Sequence, residues 1–163
     1  MPSFQTTRAT PYGPGEMLEL VADVERYPEF VPLCEALRVL NRSRNPDGTE
    51  TVTARMQVGY GPLHESFTSK VTVDRAKGQI LVSYLDGPFR SLTNRWQFRR
   101  TPSGSVIDFY IAYEFRSLAL QMLLGTMFDH AFRRFAAAFE ERARRVYGPT
   151  QPGDAPALAA GKA

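Results

Sequence analysis

The sequence predicts an α+β domain in which a curved antiparallel sheet wraps a long C-terminal helix. Six consecutive segments between residues 35 and 115 alternate apolar and polar side chains with period two, separated by short turns. That is the signature of an antiparallel meander. Leu118 to Tyr147 then carry an apolar, phenylalanine-rich stripe at helical spacing. A stripe that broad needs a large apolar partner, and the inward face of the sheet supplies it.

Phe4 to Thr10 reads as a short first strand, followed by the turn Pro11-Tyr12-Gly13-Pro14-Gly15. Glu16 to Val24 places Met17, Leu20, Val21 and Val24 at helical spacing. Tyr27-Pro28 is expected to interrupt, because a residue before proline avoids the helical region, with one more short turn at Glu29-Phe30-Val31. Next come Leu37 and Val39, then, after Asn45-Pro46-Asp47-Gly48, the inward set Val52, Ala54, Met56 and Val58. Phe67, Ser69, Val71 and Val73 follow, then Ile80 to Leu85, closed by Asp86-Gly87-Pro88. Asn94, Trp96 and Phe98 alternate next, and Ile107, Phe109, Ile111, Tyr113 and Phe115 form the longest clean alternation. Gly148-Pro149 stops the final helix. Residues 1–148 are expected to form one domain, and 149–163, low in complexity, a disordered tail.

Composition narrows the partners. A net charge of +3 is too small to argue for DNA. The single cysteine, Cys34, allows no internal disulfide, and with His64 and His130 it matches no metal-ligand spacing. No metal, catalytic residue or resident cofactor is expected. The start lacks a secretory pattern and no window approaches ~20 apolar residues. The expected location is cytoplasmic, peripheral to the inner face of a respiratory membrane.

On the helical wheel Leu123, Leu124, Met127, Phe128, Ala131, Phe132, Phe135, Ala138, Phe139 and Val146 share one half. Two small residues, Ala131 and Ala138, lie near its centre, so the helix either approaches the sheet closely there or leaves room for a ligand. Arg142 near the stripe is either a salt-bridged, snorkelling arginine or a polar anchor for a ligand head group. The helix start, Leu118 to Gly125, is apolar nearly all round. It is either a buried end or an exposed tip that docks on a membrane with Arg90, Arg95, Arg99 and Arg100 near lipid phosphates.

Several segments resemble the coenzyme Q-binding START-domain family, part of the polyketide cyclase/dehydrase-like group with a helix-grip fold. They are Tyr27-Pro28-Glu29-Phe30-Val31-Pro32-Leu33-Cys34, Glu65 to Val71, Leu85-Asp86-Gly87-Pro88-Phe89 with Leu92 and Trp96-Gln97-Phe98, Tyr113-Glu114-Phe115, and Ala138 to Ala143 closing at Tyr147-Gly148. The resemblance spans about residues 3–148. Leu33 departs from the aromatic usual there, which is expected to alter the pocket rim. The family includes mitochondrial coenzyme Q-binding proteins and bacterial ribosome-association toxins. It implies a START-like helix-grip fold with a short N-terminal helical lid, and ubiquinone or a related isoprenoid lipid as ligand in support of respiration and coenzyme Q biosynthesis. The alternative it implies is binding to the large ribosomal subunit that blocks subunit association.

Such a ligand wants a dry tunnel with few polar groups. The expected contacts are Met56, Phe67, Val71, Tyr84, Trp96, Phe109, Ile111 and Tyr113 from the sheet. Met127, Ala131, Phe135, Ala138 and Phe139 come from the helix, and Tyr27 and Phe30 from a lid. Cys34 reads as a small buried hydrophobe, not a nucleophile. A cyclase is the weakest alternative, since no acid–base pair falls at an inward position.

Overall fold

A computed structural model describes residues 2–148. The tail expected at 149–163 lies outside the described residues. Seven strands form one sheet: β1 (Ser3–Thr10), β2 (Cys34–Arg44), β3 (Glu50–Tyr60), β4 (Leu63–Asp74), β5 (Gln79–Asp86), β6 (Phe89–Thr101) and β7 (Gly104–Phe115). Their order is β1-β7-β6-β5-β4-β3-β2, antiparallel throughout. Strands β2 to β7 are the meander that the alternation predicts. β1 closes on the far edge against β7, with Ser3 opposite Ala112.

Two helical boundaries differ from expectation. Helix α1 (Pro14–Ala22) begins earlier than Glu16. Pro14 suits a first turn, where its missing N–H would have no partner, and the Glu16 carboxylate accepts from the Gly13 amide at 2.9 Å. Tyr27-Pro28 does not break the helical run either. Both lie inside a 3-10 helix, Val24–Glu29. Its turns are closed by Arg26 N–H on the Asp23 carbonyl (3.2 Å) and Phe30 N–H on the Tyr27 carbonyl (3.1 Å), and neither asks Pro28 for a donor. The turn expected at Glu29-Phe30-Val31 is the end of this helix.

Helix α2 (Leu118–Tyr147) lies in the concave face of the sheet. Ser117 caps it by accepting from the Leu120 amide at 3.2 Å. Leu124, Phe128, Phe132, Ala136, Phe139 and Ala143 are its buried line. They meet Ile80, Trp96, Ile107, Phe109 and Ile111 of the sheet, all 2% exposed or less. Leu123 (58% exposed) and Val146 (50%) are off that line, contrary to the wheel. Leu123 lies within the covered length, next to the buried Leu124, but on the side turned from the sheet, whereas Val146 lies past the last buried position, Ala143. Arg8 of β1 holds Glu140 through Nε and Nη2 (2.9 and 2.7 Å), and the Tyr147 hydroxyl donates to the Glu16 carbonyl at 3.0 Å. The C-terminal half of α2 is thereby tied to both β1 and α1.

Candidate functional site

Between α2 and the sheet lies an apolar cavity of about 60 Å³. Of the residues named from the sequence, Tyr27, Met56, Phe67, Val71, Trp96, Ile111, Phe135 and Phe139 line it. Val21 and Val24 from the N-terminal helices, Leu37, Leu92 and Phe132 add to the apolar wall, and Ser69 and Asn94 are its polar side chains. Asn94 makes two hydrogen bonds. Its Oδ1 accepts from Trp96 Nε1 (2.9 Å) while Nδ2 donates to the Tyr110 carbonyl (2.9 Å).

The gap is not where the wheel put it. Ala131 is buried and Ala138 half-buried, and neither touches the cavity. Phe109 and Tyr113, expected to face the gap, fill that space instead. Phe109 packs on Trp96 (4.7 Å between ring centroids) and on Phe4 and Phe135 (6.2 Å each). Tyr113 packs on Phe132 at 5.0 Å. The room therefore moves across the sheet toward β3–β6. Met127 is buried outside the lining. Tyr84 borders an outer groove of about 380 Å³ between β5 and β6, with Arg90 and Arg95. Its hydroxyl accepts from the Phe89 amide at 3.0 Å. Ladder pairing of the two strands ends at Ser83–Thr93, and Val82, Leu92 and Asn94 border both spaces.

The 3-10 helix closes the cavity from the side of α1. Tyr27 and Phe30 stand edge-on to Phe139, with centroids 5.2 and 5.0 Å away. The Tyr27 hydroxyl donates to the Val21 carbonyl, and burial pushes its phenol far above the usual tyrosine range. Phe30 borders an outer crevice rather than the cavity. Arg142 is the salt-bridged arginine of the two readings. It donates to Glu29 Oε1 at 2.7 Å and lies over the Phe30 ring at 4.9 Å. Leu33, half-buried and away from the lining, takes φ 66°, an uncommon backbone for a bulky residue.

Chemistry-bearing groups elsewhere are few. Burial pushes the Cys34 thiol up to about 11. His64 meets Glu35 at 2.9 Å on the surface, which holds that carboxyl below its usual range. Among the described residues no three His, Cys, Asp or Glu cluster as a metal site would need. No helix of the described residues is long and apolar enough to cross a membrane. The helix start is the exposed tip of the two readings: Leu118 is 74% and Met122 78% exposed.

This architecture, a sheet gripping one helix over an apolar space, defines a class. The family model described as "Polyketide cyclase / dehydrase and lipid transport" matches residues 10–140, and the chain belongs to that START-like family. Among its relatives is the ribosome association toxin RatA of Rickettsia prowazekii, 32% identical over 90% of this chain and 99% of that protein. The mitochondrial coenzyme Q-binding protein COQ10 homolog B of Xenopus laevis is 32% identical over 82% of this chain but 54% of its own length. The solution structure of the 18 kDa protein CC1736 from Caulobacter crescentus superposes with TM-score 0.73 at 36% identity, covering 91% of this chain and all of that one. The Zhui aromatase/cyclase of Streptomyces shares the fold alone, at 18% identity and TM-score 0.66 over 93% of this chain and 98% of that one.

Proposed function

We propose that the chain binds the ring of ubiquinone or a similar polyprenyl lipid between α2 and the sheet, and acts as a carrier rather than an enzyme. The observation that carries this reading is the cavity lining: aromatic and aliphatic throughout, with Ser69 and Asn94 as its polar side chains and no carboxylate, histidine or lysine on the wall. Apolar burial at ~25 cal/mol per Å² drives such binding without a charged contact.

Magnitude sets a condition. Pockets enclosing a drug-sized ligand hold ~300–1,000 Å³, so about 60 Å³ describes a closed state. Binding requires the wall to yield. The parts able to do so are the 3-10 helix carrying Tyr27 and the half-buried Met56 and Phe135. The sequence has one tryptophan, and Trp96 lines the cavity. Titration with decylubiquinone is therefore expected to quench Trp96 fluorescence saturably. No quenching, together with no polyprenyl quinone in organic extracts of the natively purified protein, overturns the reading.

A second reading rests on the likeness to RatA over nine-tenths of the chain. It makes the chain a partner of the large ribosomal subunit. The basic strip on β6 that this reading would use, Arg95, Arg99 and Arg100, is partly neutralised, since Asp108 binds Arg99 through two hydrogen bonds (3.0 and 2.8 Å). Sucrose-gradient profiles on overexpression decide it, and unchanged subunit association rejects it.

A further inference from the structure

We infer that Ser69 is the hydrogen-bond donor that recognises a carbonyl oxygen of the bound ligand, with the free amide hydrogen of Asn94 as a second donor. The inference rests on the quinone-carrier reading and specifies which part of the ligand the site reads. Ser69 lies on the inner face of β4, opposite Ala54 of β3 and Tyr84 of β5. It is 9% exposed and lines the cavity. Its hydroxyl has no hydrogen-bond partner among the described residues, whereas the other polar side chain of the wall, Asn94, has two bonds.

The hydroxyl opens on the cavity rather than being enclosed by protein atoms, since among the described residues no fully buried side-chain nitrogen or oxygen lacks a partner. A serine hydroxyl that opens on an apolar space and bonds to no described residue is free to meet a partner that arrives there. Asn94 limits what that partner is. An amide carries two donor hydrogens, and one is spent on the Tyr110 carbonyl. Its oxygen accepts from Trp96, and its second amide hydrogen has no partner among the described residues and is free to donate. Two donors on an otherwise apolar wall fit a ligand with acceptor oxygens and no charge, the chemistry of a quinone or another diketone. They give a plain hydrocarbon nothing beyond burial. The site so described reads the oxygen-bearing ring and leaves the tail to non-directional contact.

The test compares wild type with S69A by Trp96 fluorescence, using two probes: decylubiquinone, and the same dimethoxymethyl decylbenzene lacking the carbonyl oxygens. Losing one uncharged hydrogen bond is expected to weaken quinone binding about three- to tenfold. Affinity for the carbonyl-free probe and the thermal midpoint should stay unchanged. S69T, which keeps the hydroxyl, should retain the preference for quinone over the carbonyl-free probe. Equal quinone affinity in wild type and S69A overturns the role of Ser69 while leaving the carrier reading intact. Equal losses for both probes also overturn it, since that marks a packing defect. Failure of the wild type to bind either probe overturns both.

Discussion

Phe139 concentrates the energetics of the site in one side chain. It is fully buried and takes the edges of Tyr27, Phe30 and Trp96 at 5.0–5.2 Å. Phe139→Ala is expected to destabilise the fold by about 3–5 kcal/mol, measured by urea unfolding. The same deletion joins new space to the cavity, so the variant should bind a small apolar ligand even as it loses stability. Alternation and the helical wheel made the inward side of residues such as Met56, Trp96 and Phe139 legible. They did not make the location of the gap legible. That depends on which rings meet across the space, and Phe109 and Tyr113 found partners while Ser69 did not. Asn94 already stood in the inward phase of its strand, so the signal for a polar wall residue was present but was read as plain sheet.

At the scale of elements, the 3-10 helix buries Val24 and is otherwise held by ion pairs, Glu29 with Arg26 and Arg142 and Glu25 with Arg42. Arg26 first, then Arg142, holds the Glu29 carboxyl below its usual range by hydrogen bonding. A lowered carboxyl pKa contributes stability that is complete above the unfolded value, 4.5, and is lost as pH falls through the folded value. Closure should therefore weaken as pH falls below 4.5 and through the lower folded value, and be insensitive to pH between 5 and 7. Hydrogen exchange at the Phe30 and Val31 amides, which both bond to the Tyr27 carbonyl, measures this directly. Protection there should fall with acid in the wild type, and should already be reduced and nearly flat with pH in Glu29→Gln. The strands and α2 were readable because periodicity persists over many residues. The 3-10 helix was not, because Pro28 signals a break and a six-residue segment is too short for periodicity to contradict it.

Viewed whole, the molecule has two unlike ends. The end holding the Tyr60–Leu63 and Asp86–Phe89 turns also holds the start of α2, and it exposes Tyr60, Leu85, Leu118, Met122 and Leu123. No carboxylate occurs between Glu114 and Asp129, while Arg116 lies within that stretch and Arg90 reaches its carbonyl at 3.4 Å. An apolar tip beside two arginines suits an anionic bilayer surface, the surface from which a lipid carrier would load. Co-flotation with phosphatidylglycerol vesicles is expected for the wild type and should be lost in Met122→Asp/Leu123→Asp, with thermal stability retained because both side chains are exposed. Retained flotation would reject this surface. The order of the sheet has a different consequence, for biosynthesis. Because β1 lies against β7, the first of the seven described strands to be made has its one sheet neighbour among them in the last of the seven. At ~5–20 residues per second, a nascent chain carries β1 with an unpaired edge for on the order of 5–20 s while the intervening hundred or so residues are synthesised. Through that interval the chain is an open template for strand pairing with its neighbours, and the grip on α2 cannot yet exist.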